Sequence, residues 1–261
     1  MRCLGMLTLL LLYHPALSAQ EQGIAAQYVG DNGIENHPAV LFAENFEAGT
    51  LAEISGRFTQ VQGGSGVQVV SSAGRRHARI SAASGLFFKE LPPGYSQVFF
   101  RYYVQYNSAG VYHHSGGYIG GYRTLDGWPH GGSGQRFFDR FFVGAEPQEG
   151  VRKFDFYAYF VDMDCAPDGS CWGNNFLEDV EPEVGVDRWA CVELMIKMND
   201  PAGSKNGELA LWVDGYQVIH LGPGYPDGHY NGFGSFFPDP NDSSTFNGLQ
   251  WRDESFGVNW F

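Results

Sequence analysis

The chain has 261 residues, of which 43% are apolar and only 17% are charged, and its formal net charge is −13. This acidity argues against nucleic acid and anionic membrane surfaces as partners, because both carry the same sign of charge. The apolar content suffices for a core, while 36 glycines and 16% aromatic residues favour many short strands joined by tight turns.

Residues 1–19 have the composition of an export signal. Arg2 supplies a positive charge, the apolar run Leu4 to Tyr13 follows, and the small residues from Ala16 to Ser18 offer a cleavage site. We therefore expect a signal peptide and a mature protein that is secreted, to the periplasm or the extracellular space. The apolar run is too short to span a bilayer, so no membrane partner is expected.

Residues 20–261 are predicted to form a single domain of strands, since their number fits one large β domain. Strand patterns occur at 40–46, 66–71, 77–81, 86–90, 98–106, 137–144, 151–161, 189–198, 208–214 and 217–221. Asp214-Gly215 is the clearest hairpin turn. Such a series predicts an antiparallel sandwich or a barrel. The apolar stretch 256–261 has the pattern of a strand, and the given sequence ends within it. We therefore expect the C-terminal strand to be incomplete.

Four of these strands, at 98–106, 151–161, 189–198 and 208–214, have one apolar face and one face that mixes charge with aromatic rings. The apolar faces predict a core of Phe154, Phe156, Phe160, Val192, Leu194, Ile196, Leu211 and Val213. The other faces carry Arg101, Tyr103, Lys153, Asp155, Tyr157, Tyr159, Glu193, Lys197 and Trp212. If the four strands share one sheet, the second set lines one groove suited to sugar rings. An ordinary solvated sheet face explains the same pattern.

Cysteine and acidic residues meet in one loop. Cys165 and Cys171 flank five residues, and export favours a disulfide there, although two thiols fit the same spacing. The acids of 162–168 alternate as in a calcium loop, but Ala166 breaks the pattern. A solvated acidic loop is therefore preferred over structural calcium, and no metal or other cofactor is expected.

Five strings occur in an order that resembles a known family. They are Phe100-Arg-Tyr-Tyr-Val-Gln-Tyr106, His113-His-Ser-Gly-Gly-Tyr-Ile-Gly-Gly-Tyr122, Phe156-Tyr-Ala-Tyr159, Glu193-Leu-Met-Ile-Lys197 and Leu211-Trp-Val-Asp-Gly215. From about residue 40 onward, the chain resembles polysaccharide lyase family 14, the alginate and glucuronan lyases, and more closely a set of exported bacterial proteins. The resemblance implies an all-β, two-sheet antiparallel jelly-roll sandwich of the concanavalin A-like lectin/glucanase type. It also implies a polysaccharide partner that contains uronate.

The resemblance assigns roles to several residues. Tyr157 and Tyr159 match a family strand that contributes catalytic and substrate-binding tyrosines, and Arg140 is the best counterpart of an arginine on a neighbouring strand. The family's catalytic lysine lies in a glycine-rich string, and Tyr118 occupies that position here. This substitution favours the alternative of a non-catalytic, lectin-like carbohydrate-binding module. In that module Trp212, Tyr103 and Tyr157 would stack on the glycan.

β-Elimination from a uronate requires a positive group for the C5 carboxylate, a base for the C5 proton and a proton donor for the leaving O4. Tyr157 or Tyr159 would move the proton, and Arg140, Arg101 or Lys197 would neutralise the carboxylate. His113 or His114 is a further base, and only one of them can face a groove from an extended segment. The remaining polar-face residues and Tyr118 would bind substrate. Glycoside hydrolysis ranks third, because the dense acidic stretch 178–183 has the pattern of a loop.

Overall fold

The computed structural model of the chain describes residues 24–81, 85–107, 113–124, 134–148 and 152–261. The predicted signal peptide lies outside these ranges. The chain divides into two compact units, and the boundary in the sequence falls between Asn45 and Phe46. In the first unit the described residues contain the 3-10 helices Ile24–Gln27, Val29–Asp31 and Ile34–Asn36, and the strand predicted at 40–46 is not formed. No helix of the described ranges has both the length and the apolarity that a bilayer crossing needs.

The second unit, residues 46–261, is built almost entirely of strands. Its described residues form one α-helix, α1 (Leu51–Ser55), and one 3-10 helix, Gly64–Gly66. Thr50 begins α1 with a capping box, in which its hydroxyl accepts from Glu53 N and Glu53 Oε2 accepts from Thr50 N. The strands are β1 (Gln60–Gln62), β2 (Val67–Ser72), β3 (Arg75–Ile80), β4 (Leu86–Phe88), β5 (Glu90–Tyr95), β6 (Gln97–Gln105), β7 (Gly117–Tyr122), β8 (Arg140–Pro147), β9 (Phe154–Tyr159), β10 (Trp189–Lys197), β11 (Glu208–Val213), β12 (Tyr216–Leu221), β13 (Pro223–Tyr230), β14 (Phe236–Pro238), β15 (Thr245–Asn247) and β16 (Val258–Trp260).

Two antiparallel sheets form the sandwich. The four-stranded sheet has the order β12-β11-β10-β6, and the five-stranded sheet has the order β5-β16-β7-β8-β9. Their inner faces meet where Tyr102 Oη donates to Ala145 O at 2.9 Å, and where Gly117 lies against the Phe100 and Tyr102 rings. Smaller sheets, β1-β4, β2-β3 and β14-β13-β15, complete the unit. The expected two-sheet antiparallel jelly-roll sandwich is confirmed.

The predicted core is confirmed apart from Val213, which is half-buried. Phe154, Phe156, Phe160, Val192, Leu194, Ile196 and Leu211 are all at most 3% exposed. The hairpin turn at Asp214-Gly215 joins β11 to β12, and the C-terminal apolar stretch forms β16 between β5 and β7. The apolar side chains at alternate positions of each strand therefore determine which of its faces packs into the core.

Strand β7 was not predicted, because its sequence is rich in glycine and lacks an alternating pattern. The glycines are required by close packing. A Cβ atom at Gly117 would lie 2.4 Å from the Tyr102 ring, and one at Gly120 would lie 2.7 Å from Trp260. Close approach of neighbouring side chains thus explains a strand that propensity argues against.

The prediction of one groove shared by four strands is wrong. Strands β6, β10 and β11 are neighbours, and Glu193 lies opposite both Arg101 and Trp212. Strand β9, with Tyr157 and Tyr159, belongs instead to the five-stranded sheet. The two polar faces therefore lie on opposite outer sides of the sandwich. Alternation identifies the exposed face of a strand but carries no information about which strand lies beside it.

Candidate functional site

A cleft of about 270 Å³ opens on the outer side of the five-stranded sheet, over the ends of β8 and β9. Its lining residues come from these strands and from the segments on either side. They are His113, Glu146, Gln148, Asp155, Phe156, Tyr157, Gly173, Asn175 and Glu178. The 165–171 loop, which the Cys165–Cys171 disulfide closes, leads into one wall of this cleft. That disulfide is confirmed.

Two histidines and a buried glutamate form a polar cluster, of which His113 and Glu146 line the cleft. Glu146 Oε1 lies 3.1 Å from His113 Nδ1 and 3.1 Å from His114 Nδ1. Glu146 is only 2% exposed. As expected from the sequence, only one of the two histidines, His113, is among the described residues that line the cleft, while His114 adopts a φ of +65°. This left-handed turn brings two consecutive imidazoles to the same carboxylate, with ring centroids 3.7 Å apart.

Tyr157 lies against both imidazoles. Its ring centroid is 5.5 Å from that of His113 and 4.8 Å from that of His114, with the rings edge to face. Gly173 also packs against the ring, since a Cβ atom there would be 2.6 Å from it. Tyr157 is half-buried and lines the cleft. The imidazoles and the backbone at Gly173 therefore both contact the ring and restrict its position.

Tyr159, two residues further along β9, has a different environment. Its side chain is fully buried, and its hydroxyl lies 3.4 Å from the Tyr157 hydroxyl and donates to Cys171 O. Burial, and then the hydrogen bond with Tyr157, raise the pKa of Tyr159 far above its usual range. Tyr159 is thus a protonated group behind Tyr157.

Asp155 borders the cleft, but its carboxylate is occupied by the protein itself. Oδ1 accepts from the backbone N–H groups of Phe156, Phe176 and Leu177 at 2.5, 2.9 and 3.1 Å, and Oδ2 accepts from Gln148 Nε2 at 3.0 Å. Burial raises the pKa of Asp155 to about 7, against the opposing effect of these N–H donors. The predicted substrate-binding role does not fit this arrangement, because Asp155 fastens the 176–177 segment to β9.

The other predicted residues of this sheet lie around the cleft. Arg140 pairs with the adjacent Asp139 at 2.9 Å and lies over the Phe137 ring. Tyr118 lies across the sheet from Gly144 and Tyr157, and its buried hydroxyl has no hydrogen-bond partner among the described residues. Lys153 pairs with Glu181 at 3.3 Å. None of these three is among the cleft-lining residues.

Lys197 is far from the cleft, which corrects its predicted catalytic role. It lies on the outer face of the four-stranded sheet, where Nζ is 2.6 Å from Glu208 Oε1. Glu208 Oε2 lies 2.7 Å from His220 Nε2 and accepts from Tyr225 Oη at 3.0 Å. Burial opposes ionisation of Glu208, but the hydrogen bonds from Lys197, His220 and Tyr225 outweigh it and lower the pKa. The Lys197 ammonium is therefore already paired with a carboxylate of its own sheet, that of Glu208.

The remaining predicted residues form an aromatic surface on that same outer face. Arg101 donates to Tyr103 Oη at 2.9 Å and lies 4.0 Å from Glu193. The Trp212 and Phe99 ring centroids are 6.2 Å apart. We call Phe99, Arg101, Tyr103, Glu193 and Trp212 the outer aromatic surface.

Sequence reasoning missed Glu146, Gln148, Gly173, Asn175 and Glu178. The alternation that begins at Arg140 on β8 continues through Phe142 and Gly144 to Glu146, all on one face. Extending the predicted strand by two residues finds Glu146. Nothing local in the sequence indicates that the 173–178 segment returns to β9, where Asn174 and Ala158 exchange backbone hydrogen bonds.

Comparisons with known proteins give matches among solved structures only. No protein-family model matches the chain, and no curated protein matches it. Alginate lyase vAL-1 from Chlorella virus is 18% identical over 60% of this chain and 71% of that chain, with a TM-score of 0.44. Alginate lyase Aly36B is 14% identical over 85% of this chain and 89% of that chain, also with a TM-score of 0.44. A mutant of Aly36B in complex with alginate tetrasaccharide is 15% identical over 84% and 89% of the two chains, with a TM-score of 0.44. Likenesses this distant assign no activity.

Proposed function

We propose that the protein is exported and acts on polysaccharide in the cleft, where it cleaves a uronate-containing chain by β-elimination. The observation that carries the proposal is the packing of the Tyr157 phenol against two imidazoles that share one buried carboxylate. The site thus combines a phenol that can transfer a proton, Tyr157, with two imidazoles that can carry positive charge. These are the two kinds of group that the reaction requires.

Tyr157 is assigned the proton transfer. Its phenolate oxygen takes the C5 proton, the C5–H electron pair forms the C4=C5 double bond, and the C4–O4 bond breaks. The phenol then gives its proton to O4, so that Tyr157 returns to the phenolate. Because an ordinary tyrosine is protonated at neutral pH, this cycle needs a positive charge beside the ring.

His113 and His114 are assigned that positive charge. A protonated imidazole stabilises both the phenolate and the negative charge that develops on the C5 carboxylate during proton removal. Glu146 Oε1 lies 3.1 Å from Nδ1 of each ring, which fixes the orientation of both imidazoles. When Tyr157 is a phenolate, the protonated Tyr159 hydroxyl, 3.4 Å away, would donate to its oxygen in place of Cys171 O.

The test is a spectroscopic assay for the C4=C5 double bond, which absorbs ultraviolet light. The folded protein is incubated with alginate, the polymer named with the similar solved structures, and with glucuronan and related uronate polymers. A steady rise in absorbance is expected with at least one of them. A flat trace on every polymer at several pH values would contradict the lyase proposal.

A second candidate, non-catalytic carbohydrate binding, is favoured by the outer aromatic surface. Phe99 is 57% exposed and Tyr103 is 49% exposed, and both lie beside an arginine and a glutamate that can orient hydroxyl groups. This surface is separate from the cleft, so binding and cleavage can be tested independently.

Trp212→Ala is expected to weaken polysaccharide binding about tenfold, because it removes one stacking ring of the outer aromatic surface. Calorimetry with the polymer measures this, and Tyr216→Ala, at the exposed end of the β11–β12 hairpin, serves as the control. Equal affinity of Trp212→Ala and the unmodified protein would rule out this surface as a glycan site.

A further inference from the structure

We propose that His113, His114 and Glu146 form a binding site for one divalent transition-metal ion of the zinc class. Each residue offers one ligand atom, and the three atoms lie within 4.8 Å of one another. Two imidazole nitrogens with one carboxylate oxygen form a donor set that suits zinc and its neighbours, whereas calcium and magnesium prefer oxygen ligands alone.

The distances fit such an ion. With metal–ligand bonds of about 2.0–2.1 Å, two ligands of a tetrahedral ion are about 3.3 Å apart. Glu146 Oε1 lies 3.1 Å from each Nδ1 atom. These two oxygen-to-nitrogen distances match that spacing, and movement of the side chains would have to close the remaining nitrogen-to-nitrogen distance, which is at most 4.8 Å.

The backbone itself is arranged for convergence. Consecutive side chains of an extended segment point to opposite sides, but the φ of +65° at His114 turns both imidazoles to one side. A left-handed conformation is uncommon for a residue other than glycine, and such conformations concentrate at functional sites. The two ring centroids lie 3.7 Å apart, so both imidazoles are close enough to share one ion.

Glu146 provides an independent indication. Its Oε2 atom is buried and has no hydrogen-bond partner among the described residues. A buried carboxylate oxygen without a donor costs free energy, whereas a divalent ion on this carboxylate would compensate its charge. Both His113 and Glu146 line the cleft, so the remaining coordination positions of the ion are accessible to a ligand.

The ion would also supply the positive charge that the side chains lining the cleft lack. Of the described residues that line it, Glu146, Asp155 and Glu178 carry carboxyl groups and none is lysine or arginine. A divalent ion with one carboxylate and two neutral imidazoles leaves a net charge of +1 beside Tyr157. This step rests on the proposed function. In that reaction the ion faces the uronate carboxylate and takes the role assigned above to a protonated imidazole.

Titration of the tag-free protein with Zn²⁺ in a calorimeter tests the site without any substrate. We expect one ion to bind per chain. In His114→Ala and in Glu146→Gln the dissociation constant for Zn²⁺ should be at least tenfold larger. His229→Ala is the matched control, because His229 lies 2.8 Å from Asp242 in an exposed pair that does not line the cleft. This variant should bind Zn²⁺ as the unmodified protein does.

A second measurement needs no variant. Co²⁺ in place of Zn²⁺ should give the intense visible absorption of a four- or five-coordinate ion with nitrogen ligands, and Zn²⁺ should displace it. Absence of 1:1 binding, binding unchanged in Glu146→Gln, or the pale spectrum of hydrated Co²⁺ would each overturn the site. If the protein binds no Zn²⁺ and a chelator does not slow double-bond formation, the metal site is overturned and the lyase proposal remains intact. Zn²⁺ binding without double-bond formation would support the site and count against the lyase.

Discussion

Tyr157→Phe is expected to lower the rate of double-bond formation by about 100-fold or more, while affinity for the polymer changes by less than about threefold. Removal of a proton-transfer group typically costs 10²–10⁴ in rate, because the reacting proton loses its carrier while the ring contacts persist. The Phe ring still fills the space between Gly173 and the two imidazoles. Rates at saturating polymer, together with calorimetric affinities, separate the two effects.

Two variants control for this result. Tyr216→Phe removes a phenol that is 80% exposed at the β11–β12 hairpin and should leave the rate unchanged. Lys197→Ala should do the same, because Lys197 is held by Glu208 on the other side of the sandwich. A rate in Tyr157→Phe within threefold of the unmodified protein would remove Tyr157 from the reaction. A large loss in Lys197→Ala would contradict the location of the site.

The sequence predicts the apolar face of these strands well, whereas Asp155 and Tyr159 of the predicted polar face are buried. Phe154 and Phe156 are buried, Tyr157 faces outward, and Glu193 lies on the polar side of β10, all from a period of two. Pairing of strands depends instead on contacts between distant segments, such as Tyr102 with Ala145. A local pattern contains no such information, so it does not show that β9 and β10 belong to different sheets.

The candidate site was predicted in part for the same reason. Residue type and resemblance indicate His113, His114 and Tyr157, and the three rings contact one another. Glu146, the partner of both histidines, lies two residues beyond the predicted strand, which ends at residue 144. Convergence of the two histidines depends on one left-handed residue, His114, whose conformation is set by its surroundings.

Asp155→Ala is expected to reduce the free energy of unfolding by about 3 kcal/mol or more, because buried N–H groups that lose their acceptor each cost about 1–3 kcal/mol. Three backbone N–H groups donate to Asp155 Oδ1, and two of them belong to the fully buried Phe176 and Leu177. Urea denaturation measures the loss. Asp239→Ala is the control, since Asp239 accepts from Asn241 N in an exposed turn and should cost below about 1 kcal/mol.

Asp155→Asn separates the hydrogen bonds of this carboxyl group from its ionisation. The amide oxygen can still accept at the Oδ1 position, so the loss of stability should be well below that of Asp155→Ala. The folded pKa of Asp155, about 7, lies above the value of about 3.9 for an unfolded aspartate. The folded state therefore binds this proton more tightly, and the resulting stability is fully present below about pH 4 and decreases as the pH rises to about 7. Between pH 5 and pH 8 the unmodified protein should lose more stability than Asp155→Asn, by at most about 1.4 kcal/mol per pH unit. Parallel pH profiles for the two proteins would show that Asp155 is already ionised at pH 5.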